Sequence, residues 1–202
     1  MIETLSHLDQ ELFLFLNGVN NPFMDEVMYW ISDKYFWFPF YALLIVLIIV
    51  KKRYEAIPVL IGIGILVTLA DQLSVHLFKE VFERFRPCRP ESPIHEMVHI
   101  VKGHCGGKYG FISSHATNSF AVAVFLSRVL GPYFRYFTPM IFFWAAAVTY
   151  SRVYLGVHYP GDIIGGAIFG AVLGLLIYRM MIEINKKMLK SGLLKSPRKR
   201  GN

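Results

Sequence analysis

Five apolar segments, running approximately over residues 36–50, 57–78, 115–131, 138–157 and 162–184, constrain this chain more than any other feature. A helix needs about 20 predominantly apolar residues to cross a hydrocarbon core, and most of these segments come near that length. The first is short and is expected to begin earlier, within Met24–Ser32. The third carries Thr117, Asn118, Ser119 and Ser127, so its neighbours are expected to shield it from lipid. Only 17% of the residues are charged, and mean hydropathy is +0.44. A soluble domain usually carries about a quarter charged residues, so the deficit points to lipid as the main solvent. The expected fold class is an all-α integral membrane protein, a bundle of about five to six transmembrane helices.

Ahead of the spans, Leu5–Leu16 sets acidic and apolar residues at helical spacing and reads as an N-terminal interfacial helix. Met1 to Glu11 holds Glu3, Asp9 and Glu11 in place of the basic start of a signal peptide. The apolar segments are therefore expected to persist in the mature protein. Residues 1–185 read as one membrane domain and 186–202 as a basic cytoplasmic tail. That tail holds Lys186, Lys187, Lys190, Lys195, Arg198, Lys199 and Arg200. Because an apolar span precedes it directly, it reads as an anchor on anionic headgroups, and no nucleic-acid partner is expected.

Charge assigns the two faces. Lys51, Lys52, Arg53, Arg128, Arg135, Arg179 and the tail put 13 of the 21 Lys and Arg residues on one side. Positive charge marks the cytoplasmic side. The C-terminus is therefore expected inside a bacterial inner membrane, and the 79–113 loop in the periplasm or exterior. Gly166, Gly170 and Gly174, four residues apart, are expected to let the last span approach a neighbour within one bundle. Oligomeric state is left open.

Three clusters then fall at the outward ends of the spans. The first is Lys79, six residues, Arg86-Pro87. The second is Ser113-Ser114-His115. The third is Ser151-Arg152, five residues, His158, three residues, Asp162. Basic residues at membrane ends are often mere anchors, but anchoring does not explain a His and an Asp beside an Arg between apolar helices. The inventory suits phosphoryl transfer. Lys79, Arg86 and Arg152 can neutralise the oxygens of a dianionic phosphate, and Ser113 can add donors at a helix start. A neutral His158 can attack phosphorus while Asp162 fixes its tautomer. His115 can protonate the leaving oxygen. With these cations present the chemistry needs no metal and no cofactor.

These clusters resemble the signature of the type 2 phosphatidic acid phosphatase (PAP2) superfamily: K-x6-RP, then PSGH, then SR-x5-H-x3-D. Lys79–Pro87 and Ser151–Asp162 match in full. The middle motif departs, with Ile112 for Pro and Ser114 for Gly. An extra hydroxyl at Ser114 could contact substrate or cap the third span. The resemblance implies a phosphohistidine on His158, orientation by Asp162, acid catalysis by His115, and phosphate binding by Lys79, Arg86, Ser113 and Arg152. It implies a lipid phosphatase acting from the bilayer. Undecaprenyl pyrophosphate is the first expectation. Lipid A, phosphatidylglycerophosphate and phosphatidic acid are alternatives, and a phosphotransferase is a variant of the same chemistry. A non-enzymatic transporter or scaffold for anionic lipids is the alternative of another class; the His158–Asp162 pair argues against it.

Other features have plainer readings. Cys88 and Cys105, the only cysteines, are expected to form a disulfide in an oxidising compartment. His95, His99 and His104 do not match a familiar zinc-ligand spacing and read as solvated loop residues. Asp71 is a costly intramembrane carboxylate, expected to brace the site or line the substrate cavity rather than catalyse. Tyr35, Phe36, Trp37 and Phe38 read as an interfacial aromatic belt.

Overall fold

The structure, a computed structural model, describes residues 2–190. Its regular elements are helical: α1 (Ile2–Gly18), α2 (Pro22–Ser32), α3 (Phe38–Lys52), α4 (Ala56–Ser74), α5 (Glu80–Phe82), α6 (Ser114–Leu130), α7 (Phe137–Tyr154) and α8 (Pro160–Lys190). A π-helical turn, Val75–Lys79, joins α4 to α5, so the two run on as one rod. Residues 191–202, which hold most of the basic tail, lie outside the described residues. The apolar stretches Phe38–Phe82 and Pro160–Met188 reach mean hydropathies of 2.0 and 1.9, yet only 28% and 22% of their most apolar windows are buried. A soluble core helix would bury such a surface. Here Ile45, Ile49, Ile61, Ile65, Ile164 and Ile168 stand exposed along α3, α4 and α8, as lipid-facing residues do. The protein is an integral membrane bundle.

α6 is the axis of that bundle. It packs against α4, α7 and α8, which shields its polar residues: Thr117 and Ser119 are buried. The small residues of α8 make the closest seam. A Cβ at Gly166 would meet the Ser113 carbonyl at 2.7 Å, and one at Gly170 or Gly174 would collide with the carbonyls of Thr117 or Ala121. The glycine stripe therefore serves packing inside one chain, and it brings the N-terminus of α8 beside the N-terminus of α6.

The first span differs from its expectation. Met24–Ser32 does not extend α3 but forms the separate helix α2. Asn21 caps it by accepting from the Met24 N–H at 2.9 Å, with Pro22 in its first turn. Asp33 ends it and accepts from the Tyr35 N–H at 2.9 Å, turning the chain before Pro39 opens α3. α1 and α2 both lie against α7, near its C-terminal end. Asn17 of α1 donates to the carbonyls of Tyr154 and His99 at 2.8 and 3.0 Å. Asp25 of α2 accepts from Tyr154 Oη at 2.8 Å. In the aromatic run, Tyr35, Phe36 and Phe38 are exposed, whereas Trp37 turns inward and donates its indole N–H to the Ile31 carbonyl at 2.8 Å.

Candidate active site

His158 sits in the short connection between α7 and α8, buried. Its Nδ1 lies 3.3 Å from Asp162 Oδ2 in the first turn of α8. His158 lies just before α8, two residues ahead of its first residue Pro160, which sets it against the first turn that carries Asp162. Asp162 is fully buried, and other donors hold it in place. The Tyr159 N–H donates to Oδ2 at 3.0 Å, and Arg84 Nη1 donates to Oδ1 at 3.0 Å. Gly110 closes over the pair: a Cβ there would come within 2.9 Å of Asp162 Oδ2 and 3.6 Å of His158 Nδ1. With Nδ1 facing Asp162, Nε2 is the ring nitrogen left for chemistry. Burial, reinforced by the cations Arg86, Arg152 and Lys79, holds the imidazole well below its ordinary pKa, so it is neutral at physiological pH.

The cations arrive from three elements. Lys79, at the end of the π-helical turn, donates to Ser114 Oγ at 2.6 Å, and Ser114 Oγ lies 2.7 Å from Ser74 Oγ. Ser114 thus ties Lys79 to α4. It does not cap α6: Ser113 does, accepting from the Ala116 N–H at 3.4 Å. Ser113 is fully buried, with its backbone N–H on the Asp162 carbonyl at 3.0 Å. Arg86 is held by carbonyls of Tyr109 at 3.2 Å, Cys105 at 3.4 Å and Val157 at 3.5 Å. Cys88 and Cys105 are joined by a disulfide, which fixes one of those carbonyls. Arg152 donates to Ser32 of α2, and its buried Nε has no hydrogen-bond partner among the described residues. His115, in the first turn of α6, lies within electrostatic reach of His158, Arg86, Arg152 and Lys79. The three sequence clusters therefore meet at one end of the bundle.

Motif reading alone misses four residues there. Arg84 lies among the unspecified positions of the first motif, yet its guanidinium bridges Asp162 and Asp9 of α1, the latter at 2.7 Å, and stacks 4.0 Å from the Tyr159 ring. Asp9 also accepts from the Gly161 N–H at 2.7 Å, the first turn of α8. Ser32 and Gly110 complete the set. Asp9 is visible in the sequence only as one of two acidic residues, with Glu11, in the amphipathic Leu5–Leu16 stretch.

The loop histidines separate. His99 Nε2 bonds Asp25 at 3.0 Å, so it is an internal tie rather than a solvated residue. His104 lines a cavity with His115. Among the described residues no three His, Cys, Asp or Glu side chains gather as metal ligands. Asp71 is exposed on α4.

Residues 59–186 match the profile of the PAP2 superfamily. The chain belongs to the PAP2 superfamily. It is 40% identical over 189 residues to a lipid A 4'-phosphatase of Bacteroides thetaiotaomicron, covering 93% of this chain and 83% of that protein. A lipid A 4'-phosphatase of Porphyromonas gingivalis is 38% identical, covering 93% and 79%. The fold is similar to the crystal structure of a transmembrane PAP2-type phosphatidylglycerolphosphate phosphatase from Bacillus subtilis, with TM-score 0.61 and 25% identity over 92% of this chain and 88% of that one. This PAP2 protein is accordingly a membrane lipid phosphatase.

Proposed function

We propose that this PAP2 phosphatase removes the 4'-phosphate of lipid A through a phosphohistidine on His158. His158 Nε2 attacks phosphorus, and the bond from phosphorus to the sugar oxygen breaks. His115 gives the leaving oxygen its proton. Water, deprotonated by His115, then cleaves the phosphorus–nitrogen bond and releases phosphate. Lys79, Arg86 and Arg152 spread over the phosphoryl oxygens, with Ser113 holding the start of α6 in place and Ser114 aiming Lys79. Asp162 keeps the proton on His158 Nδ1, and Arg84 keeps Asp162 still. The observation that carries this chemistry is the buried His158–Asp162 pair facing three cations. A simple anion-binding pocket has no use for a neutral, oriented imidazole.

The substrate assignment departs from the first expectation. Undecaprenyl pyrophosphate gives way to lipid A because relatives carrying the lipid A 4'-phosphatase name align over 93% of the chain at 38–40% identity. In this reading the site faces the periplasm or exterior and the C-terminus the cytoplasm. Lys51, Lys52, Arg53, Arg128 and Arg135 gather at the opposite end of the bundle, which supports that orientation. The test is phosphate release by purified protein in detergent, with EDTA present, from lipid A, undecaprenyl pyrophosphate and phosphatidic acid. The expected result is release fastest from lipid A, unaffected by EDTA. Preference for undecaprenyl pyrophosphate would restore the isoprenoid reading.

A further inference from the structure

A cavity of about 440 Å³ opens beside the candidate catalytic residues. His115 and Arg152 line it together with Asp33, Lys34 and Tyr35, the elbow between α2 and α3, and with Tyr29. The elbow is held from several directions. Asp33 accepts from the Tyr35 N–H at 2.9 Å, and Trp37 anchors to the Ile31 carbonyl at 2.8 Å. Lys102, itself paired with Glu26 at 2.9 Å, lies 3.9 Å from the Tyr29 ring centre. Ser32, at the start of the elbow, is the hydroxyl that receives Arg152. His115, Arg152, Leu155 and Val157 of the cavity wall belong to the motifs, whereas Tyr29, Asp33, Lys34 and Tyr35 lie outside them.

The wall chemistry is mixed. Tyr29 and Tyr35 supply aromatic rings, Asp33 a carboxylate that accepts hydrogen bonds, and Lys34 an ammonium that donates them. A sugar ring has the matching surfaces: C–H groups for aromatic faces and hydroxyls for polar ones. A glycerol phosphate has hydroxyls for the polar groups but no ring of C–H groups to lie against an aromatic face. The volume falls within the roughly 300–1,000 Å³ typical of small-molecule sites. We infer that this cavity is a saccharide subsite that seats the sugar bearing the scissile phosphate, with Asp33 and Tyr35 as its specificity-determining residues. The inference rests on the proposed lipid A reading and deepens it, since Asp33 and Tyr35 would select glycolipid phosphates over glycerolipid phosphates.

The test measures binding of glucosamine 4-phosphate, glycerol 3-phosphate and inorganic phosphate to His158→Ala protein, which cannot turn them over. The sugar phosphate is expected to bind about tenfold or more tighter than glycerol phosphate. Tyr35→Ala and Asp33→Asn, the latter keeping an acceptor for the Tyr35 N–H, should abolish that preference and leave affinity for inorganic phosphate unchanged. Equal affinity for the two organic phosphates, no binding of the sugar phosphate, or variants that weaken inorganic phosphate equally would each overturn the subsite. The proposed function fails separately, if the parent protein releases no phosphate from lipid A.

Discussion

The seam between α6 and α8 and the cap formed by α1 and α2 hold the same site by opposite means. The seam is built from absence: glycines on α8 let its backbone rest on the carbonyls of α6. The cap is built from polar ties. Asp9 reaches Arg84 and Gly161, Asn17 reaches Tyr154 and His99, and Ser32 reaches Arg152. The seam lies within the residues that match the family profile, whereas the cap precedes them, since the match begins at residue 59. The seam brings the histidines together, and the cap sets where their partners point.

That contrast can be broken at either end. Gly170→Leu, which drives a side chain into the Thr117 carbonyl, should have the largest effect: loss of folded protein, read as aggregation on size-exclusion chromatography. A folded and active Gly170→Leu protein would refute the seam. Arg84→Ala should fold but leave buried Asp162 without its ion partner, at a cost of about 3–5 kcal/mol. Its kcat should fall roughly 10²-fold as His158 loses its alignment, and Arg84→Lys should recover part of that loss. Asp9→Asn keeps one acceptor and should lower kcat only about tenfold or less, with KM nearly unchanged. A larger effect from Asp9 than from Arg84 would reverse the order of the chain of contacts.

Smaller effects sharpen the picture. Cys88→Ser with Cys105→Ser should lower stability by about 3 kcal/mol, the scale for a loop of this size, and raise KM modestly through the loosened Arg86. Thermal unfolding in detergent and kinetics would show both. For pH, the fold holds His158 below the ordinary histidine value of 6.5 and favours its neutral form. Its contribution to stability is therefore full above about pH 6.5 and declines as the pH falls below that value toward the folded pKa. The acid limb of kcat/KM should accordingly lie below pH 6.5, and a limb near or above 6.5 would show that His158 is not held neutral.

The seam, the spans and the motif residues are legible in the sequence because each is a local pattern: apolar length, glycine spacing, or a fixed interval such as His158 to Asp162. Arg84 and Asp9 are not. Their partners stand 75 to 152 positions away, and no periodicity encodes such a pairing. The break between α2 and α3 was also hidden, because Tyr35–Phe38 continues the hydrophobic pattern through a turn set by Asp33 and Pro39. Substrate choice was hidden for a related reason. The cavity wall is assembled from α2, the elbow, the disulfide loop, the start of α6 and the end of α7, and no single motif spans them.

The most direct measurement is mass spectrometry of lipid A after incubation with parent and His158→Ala protein, combined with a search for an acid-labile phosphohistidine in the quenched parent. The parent is expected to remove one phosphate and to carry the label on His158. His158→Ala, folded to the same extent, should be slower by about 10⁴-fold or more. Phosphate removal by His158→Ala at a rate near the parent's would contradict the account at its centre.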